Sequence, residues 1–236
     1  DATAMERIAR ASGVHIIAAT GHNKETFSAS FLEGVSVDAL AARFTAEVQA
    51  GMDGTDARAG VIKAASTLNA ISALAEKLFL AAARTHHATG APISTHTEAG
   101  TMALEQVAIL TSEGVAPEHI IIGHVDRKLE RDFHLKLAAT GVTMSYDQIS
   151  KAKYYPDAKR AEVISALIAT GHGRQIVLAG DTARRSYLLR HGGAGFVYIL
   201  NTFVPLLREC GVSQAAIDDL LIHNPARALA FDPAQT

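Results

Sequence analysis

Short apolar runs alternate with longer segments of helical period along the chain, and this alternation limits the fold more than any other feature. Segment 71–90, for example, places Leu74 and Leu78 four residues apart, and Gly90 ends the helix. Repeated strand and helix units of this kind indicate an α/β fold, in which helices cover a parallel sheet. Strands are predicted at 13–20, 60–65, 91–97, 119–124, 141–147 and 174–181. Further helices are predicted at about 36–50, 101–113, 127–140, 157–170, 196–209 and 213–222.

The composition permits a sizeable core and excludes some partners. With 236 residues, of which 48% are hydrophobic and 19% charged, and with no linker or low-complexity tract, we expect one domain over 1–236. A net charge of −2 and the lack of a long basic run argue against nucleic-acid binding. No apolar run has the length of a membrane span, and the first residues lack the layout of a signal peptide. The single cysteine, Cys210, is compatible with a reducing compartment, so we expect a cytoplasmic protein without a membrane partner.

Polar side chains collect where the predicted strands end. His96, His124, Asp147 and Asp181 each close a strand, and Tyr146 precedes Asp147. In a (β/α) barrel this face carries the active site. A histidine at one such position is more often structural, but several metal-capable side chains at separate strand ends indicate a site.

Lys63 stands inside an apolar stretch, "AGVIKAAST", that is predicted to be a buried strand. A buried ammonium is disfavoured unless it is paired, neutralised or chemically changed. The simpler alternative is that the side chain reaches water at the end of the strand. The residues alone leave both explanations open.

The motifs of this chain, taken together, resemble one protein family. They are "AGVIKAAST", "GAPISTHTEAGT", "IIIGHVDR", "YYPDAKR" and "LAGDTARRSYL", in this order. They resemble the phosphotriesterase-related branch of the amidohydrolase superfamily, from about residue 1 to "NPARALA" near the end. The resemblance implies a (β/α)8 barrel and a metal-dependent hydrolase with two divalent ions at the carboxyl ends of the strands.

The same resemblance implies a role for each candidate ligand. Lys63 would be carboxylated on its side-chain nitrogen and would bridge the two ions. His96 and His124 would bind one ion and Asp181 the other, with Zn²⁺ expected first and Mn²⁺ second. Two such ions share a hydroxide that serves as nucleophile, and Asp181 would be the catalytic proton shuttle.

The sequence departs from the family pattern in two respects. The family has a His-x-His pair at the end of its first strand, and this chain contains no His-x-His. It also has six predicted strands where the barrel needs eight. We therefore expect that the first two strands of the barrel are missing from this sequence. If the natural protein also lacks them, a non-catalytic barrel that binds a ligand becomes the alternative.

Cationic residues in two predicted loops indicate the substrate. The loops after the seventh and eighth strands, by the family's count, contain Lys151, Lys153, Arg184, Arg185 and Tyr187. Such loops often bind phosphate in these barrels. Any one of these side chains alone is better explained as a solvated surface charge.

The resemblance narrows the substrate of this small-molecule enzyme. Lys153, Arg184 and Tyr187 are arranged as in the family's phosphosugar lactonases, and would bind the 5-phosphate of a sugar 1,4-lactone. The alternative is a phosphotriesterase or a lipophilic lactonase of the acyl-homoserine type. A homodimer is expected only by analogy with relatives.

Overall fold

The computed structural model describes residues 1–232, and within them six parallel strands form one sheet. The sheet has the order β1-β2-β3-β4-β5-β6, so each strand pairs with the next in the chain. The α/β class and all six predicted strands are confirmed, although all but the second, which is one residue longer, are shorter than predicted. They are β1 (Ala18–Gly21), β2 (Ala59–Ala65), β3 (Ile93–His96), β4 (Ile120–Ile122), β5 (Thr143–Tyr146) and β6 (Ile176–Leu178).

Helices connect these strands, as the periodic segments predicted. In α4, Ser72 accepts a hydrogen bond from the backbone N–H of Ala75, and Gly90 ends the helix in the left-handed conformation. The α-helices among the described residues are α1 (Ala2–Ser12), α2 (Glu25–Leu32), α3 (Val37–Gln49), α4 (Ala73–Thr89), α5 (Ala103–Ser112), α6 (Arg131–Ala138), α7 (Asp157–Ala169), α8 (Val204–Glu209), α9 (Gln214–Asp218) and α10 (Asn224–Leu229). None of these has the length and apolar character needed to cross a membrane.

The core lies between the sheet and the helices that cover it. Helices α3 and α4 pack on each other and on β2, and bury Phe44, Leu78 and Phe79. Every residue of β4 and β5 is buried. Burial on both faces is typical of parallel strands inside an α/β fold, and it fixes the positions of the strand ends.

Residues 13–17 were predicted to belong to the first strand, but in the structure they precede it. Val14, Ile16 and Ile17 are apolar but exposed. Strand β2 begins at Ala59, which pairs with Ala18, so the sheet supplies no neighbour in register for the residues before position 18. Strand β1 is therefore only four residues long.

All six strands run in the same direction, so their carboxyl ends meet at one edge of the sheet. Two glycines allow the backbones to approach closely there. A Cβ at Gly21 would stand 2.1 Å from the carbonyl oxygen of Lys63, and one at Gly123 would stand 2.4 Å from that of Thr95. These contacts place the segments that follow β1 and β4 directly against the predicted site.

Candidate active site

The four predicted metal ligands lie at this edge. Lys63 is in β2, His96 is the last residue of β3, His124 follows β4 by two residues and Asp181 follows β6 by three. His124 and Asp181 have φ angles of 60° and 38°, in the left-handed region that residues other than glycine rarely adopt. Strained backbone of this kind is concentrated at functional sites.

The structure brings His96, His124 and Lys63 together. The two imidazole rings are nearly perpendicular, with centroids 4.5 Å apart. The Nζ atom of Lys63 donates a hydrogen bond to the carbonyl oxygen of Thr95, the residue before His96, over 3.1 Å. Burial lowers the pKa of the Lys63 ammonium, and the charges of Asp147 and Asp181 oppose this shift.

His96 is held as a neutral imidazole. Burial lowers its pKa to about 4, and the neighbouring His124 and Lys63 add to the effect. Its Nε2 atom lies 3.3 Å from Oε2 of Glu98, and Glu98 forms an ion pair with Lys24. A neutral ring that donates Nε2–H to Glu98 keeps a lone pair on Nδ1.

His124 also has a carboxylate partner, but on Nδ1 and not on Nε2 as in His96. Its Nδ1 lies 2.5 Å from Oδ1 of Asp147, and its backbone N–H donates to Oδ2 of the same residue over 2.9 Å. Burial would raise the pKa of Asp147, but the hydrogen bonds and charge of His124 lower it to about 2. The sequence placed Asp147 at a strand end but gave it no role; the structure makes it the partner of His124.

Gln148 connects these carboxylates, and the sequence did not indicate it. Its Nε2 lies 3.0 Å from Oδ1 of Asp147, 3.1 Å from Oδ2 of Asp181 and 2.9 Å from Nδ1 of His124. Asp181 also accepts from Nζ of Lys151, over 2.6 Å to Oδ2 and 2.8 Å to its carbonyl oxygen. The carboxylate of Asp181 thus faces an amide and an ammonium at the edge of the site.

The donor set fits a metal centre in part. Each histidine is bonded to a carboxylate through one ring nitrogen, so the other nitrogen is free for an ion, which is the usual arrangement of metal-binding histidines. Across residues 1–232, however, no three His, Cys, Asp or Glu side chains converge as an ion-binding group. Carboxylation of Lys63 would add the anionic oxygens that His96 and His124 lack.

The predicted phosphate-binding residues lie in the loops after β5 and β6. The Nζ atom of Lys153 is 4.7 Å from the ring centroid of Tyr154, and interactions with the hydroxyls of Tyr154 and Tyr187 raise the pKa of Lys153. Nζ of Lys151 is 5.0 Å from the ring centroid of Tyr187. Arg184 is exposed, three residues before Tyr187.

Tyr154 also carries a cation on its ring from a third loop. The guanidinium carbon of Arg127, which follows His124 by three residues, lies 3.7 Å from the ring centroid. The sequence alone indicated neither Arg127 nor Tyr154. The stretch "KYY", in which two tyrosines directly follow a lysine, is the signal that could have indicated a cation stacked on a tyrosine ring here.

A cavity of about 320 Å³ adjoins Asp181. Its wall is mixed, since Ser150, Thr182 and Tyr198 contribute polar atoms and Phe196 and Ile199 contribute apolar surface. The position of the cavity beside Asp181 makes it a candidate for the less charged part of a substrate.

Curated proteins that are similar to this chain match it over most of its length. The chain is 40% identical over 224 residues to a phosphotriesterase homology protein of Escherichia coli, covering 94% of this chain and 77% of the relative. It is 38% identical over 240 residues to a phospho-furanose lactonase of Mycoplasmopsis synoviae, covering 93% and 68%.

Solved structures give the same result. The E. coli phosphotriesterase homology protein, complexed with phosphate in its active site, superposes with a TM-score of 0.95 at 39% identity, covering 98% of this chain and 80% of that one. A lactonase from Listeria monocytogenes superposes with a TM-score of 0.92 at 36% identity, covering 97% and 77%. These neighbours confirm the predicted barrel class. The model of the phosphotriesterase family matches residues 1–229, and the chain therefore belongs to the phosphotriesterase family.

Proposed function

We propose that the protein is a metal-dependent hydrolase that opens the ring of phosphorylated sugar 1,4-lactones. Membership of the phosphotriesterase family supports a hydrolase, and the lactonases among its relatives support a lactone as substrate. One observation carries the proposal. At the same edge of the sheet, the adjacent rings of His96 and His124 lie below a rim in which Lys151 and Lys153 contact tyrosine rings.

His96, His124, a carboxylated Lys63 and Asp181 are the residues that would hold the two divalent ions. When bound, the ions would polarise the carbonyl oxygen of the lactone and lower the pKa of water. Carboxylation joins the free amine of Lys63 to CO₂ through a new N–C bond, with loss of one proton. The largely buried position of Lys63 supports this, because burial favours the uncharged amine that the reaction needs.

Asp181 would handle the proton of the hydrolysis. Water attacks the lactone carbonyl, the ring C–O bond breaks, and Asp181 would pass the proton from the water to the departing ring oxygen, giving a hydroxy acid. Gln148 and Lys151 support this role because they hold the Asp181 carboxylate at the edge of the site.

Lys153, Arg184 and Tyr187 would bind the phosphate of the substrate. Lysine provides a point charge, arginine a planar pair of donors and tyrosine a hydroxyl. The phosphate in the active site of the E. coli relative supports an anion at this face. Nζ of Lys153 lies 4.7 Å from the ring centroid of Tyr154, so this cation is already held at the rim where an anion would bind.

The test is the ratio of kcat/KM for two lactones that differ only in the phosphate. We expect Arg184→Ala to lower kcat/KM for the phosphorylated lactone about ten- to a hundredfold, because a hydrogen bond to a charged group contributes about 1.5–3 kcal/mol. The unphosphorylated lactone should change little, and Arg190→Ala, an exposed arginine in the same loop, serves as the control. A wild-type preference for the unphosphorylated lactone would refute the substrate assignment.

The cavity beside Asp181 favours a second candidate, a lipophilic lactone or an organophosphate triester. Phe196 and Ile199 would accept an acyl chain or an ester group there. In that case a long-chain lactone or paraoxon would be hydrolysed more efficiently than any phosphorylated lactone. The absence of all hydrolysis by metal-loaded protein would instead favour a barrel that only binds ligands.

A further inference from the structure

We propose that the Lys24–Glu98 ion pair positions His96 for metal binding, an inference that rests on the proposed metal-dependent function. Glu98 follows β3 by two residues, and Lys24 lies between β1 and α2. Oε2 of Glu98 contacts both Nζ of Lys24 and Nε2 of His96. One carboxylate oxygen therefore joins a surface cation to a predicted metal ligand.

Glu98 determines which nitrogen of His96 can bind an ion. Its oxygen lies 3.3 Å from Nε2, so the ring donates Nε2–H and turns the lone pair of Nδ1 away from Glu98. His124 has the opposite arrangement, with Asp147 on Nδ1 and a free Nε2. Each ring thus has its own carboxylate, and Glu98 and Asp147 fix the two tautomers independently.

Lys24 holds Glu98 in the orientation that this bond requires. The side chains of Lys24 and Glu98 are 24% and 27% exposed, so Glu98 could otherwise turn toward water. Lys24 is itself restrained, because its Nζ lies 5.7 Å from the ring centroid of Phe27 in α2. The pair connects the loop after β1 to the loop after β3 across the mouth of the site.

A purely structural ion pair would produce a different result. If the pair were only structural, its loss would lower the thermal stability of the metal-free protein and leave the metal affinity unchanged. A positioning role predicts weaker metal binding without loss of stability in the metal-free protein. These two readouts separate the explanations without any activity assay.

The experiment measures Zn²⁺ affinity and stoichiometry by competition with a chromogenic chelator, using the whole chain. Glu98→Ala should weaken affinity about 10–100-fold, the usual effect of removing the partner of a metal-binding histidine. Lys24→Met should have a smaller effect, and the double variant should be no weaker than Glu98→Ala. Glu98→Gln should recover part of the affinity because its amide oxygen still accepts from Nε2–H. Glu105→Ala, which removes an exposed carboxylate of α5, should bind like wild type.

Two outcomes would overturn the inference, and they differ in what else they remove. If wild type binds Zn²⁺ and Glu98→Ala binds it within twofold of wild type, the positioning role is wrong and the proposed function stands. If wild type binds no Zn²⁺ after incubation with bicarbonate, the proposed metal-dependent function fails and this inference fails with it. In the first case, a lower thermal stability of metal-free Glu98→Ala would show that the ion pair is structural.

Discussion

Arg160 provides the sharpest test of how the loop after β5 is held. Its side chain in α7 is fully buried, and Nε donates to Oδ2 of Asp126 over 2.8 Å. Its Nη1 donates to the carbonyl oxygen of Tyr155 over 2.6 Å and to Oδ1 of Asp157 over 2.9 Å. Asp157 in turn accepts from the backbone N–H of Ser150. Arg160→Met would keep most of the buried volume and remove every one of these donors.

The size of the effect follows from the unpaired charge that remains. Removing one partner of a buried ion pair destabilises a protein by about 3–5 kcal/mol. For a chain of this length each kcal/mol lowers Tm by about 2–4 °C, so we expect a loss of about 6–20 °C. Burial and the neighbouring charge of Asp147 already raise the pKa of Asp126, so Asp126→Asn in the Arg160→Met background should restore part of the loss. The amide oxygen of the introduced asparagine would still accept from the backbone N–H of Gln148, as the carboxylate of Asp126 does.

The assay is thermal unfolding of the wild type, the single variants and the double variant, followed by circular dichroism. Lys159→Met is the control on the same helix. Nζ of Lys159 lies 3.8 Å from Oε2 of Glu162, and both side chains are exposed, so this ion pair is expected to contribute less than about 1 kcal/mol. A Tm for Arg160→Met within about 2 °C of the control would refute the reasoning. It would mean that Arg160 does not stabilise the loop that carries Gln148 and Lys151.

Two further predictions concern the chemistry of the site. Lys63→Ala should lose metal and activity, and a short carboxylate should restore part of both, because the site needs an anion rather than an amine; a fully active variant would exclude the carbamate. Gln148→Leu removes the amide that joins Asp147 to Asp181, so kcat should fall about tenfold with KM and metal content nearly unchanged. A change confined to KM would instead make Gln148 a substrate-binding residue.

The sequence predicted the strands well because apolar, β-branched runs coincide with buried strands. It failed at residues 13–17, where the run is apolar but the sheet offers no partner, so hydrophobicity alone was misleading. The prediction also omitted α1, although Asp1 caps its first turn and Gly13 ends it in the left-handed conformation. Helix α2 gave a weaker signal because serine and threonine interrupt its apolar residues.

The candidate ligands were predictable because they stand at strand ends, whereas their partners were not. Lys24 and Glu98 are 74 residues apart in sequence, and Lys151 and Asp181 are 30 apart. No local pattern relates such residues, and only the parallel order of the strands brings them together. The pairing of Asp181 with Lys151 is the clearest example, since the sequence suggested a phosphate-binding role for that lysine.

The glycines at the strand ends also limit how this site could be changed by directed evolution. Any side chain at position 21 would collide with the backbone of Lys63, and any side chain at position 123 would collide with that of Thr95. Neither obstacle is a flexible group that could move aside. A library that diversifies these two positions would mostly lose folded protein, whereas the exposed residues Phe196 and Leu200 could vary at lower cost. New substrate ranges are therefore to be sought at exposed positions of this kind, with the strand ends left unchanged.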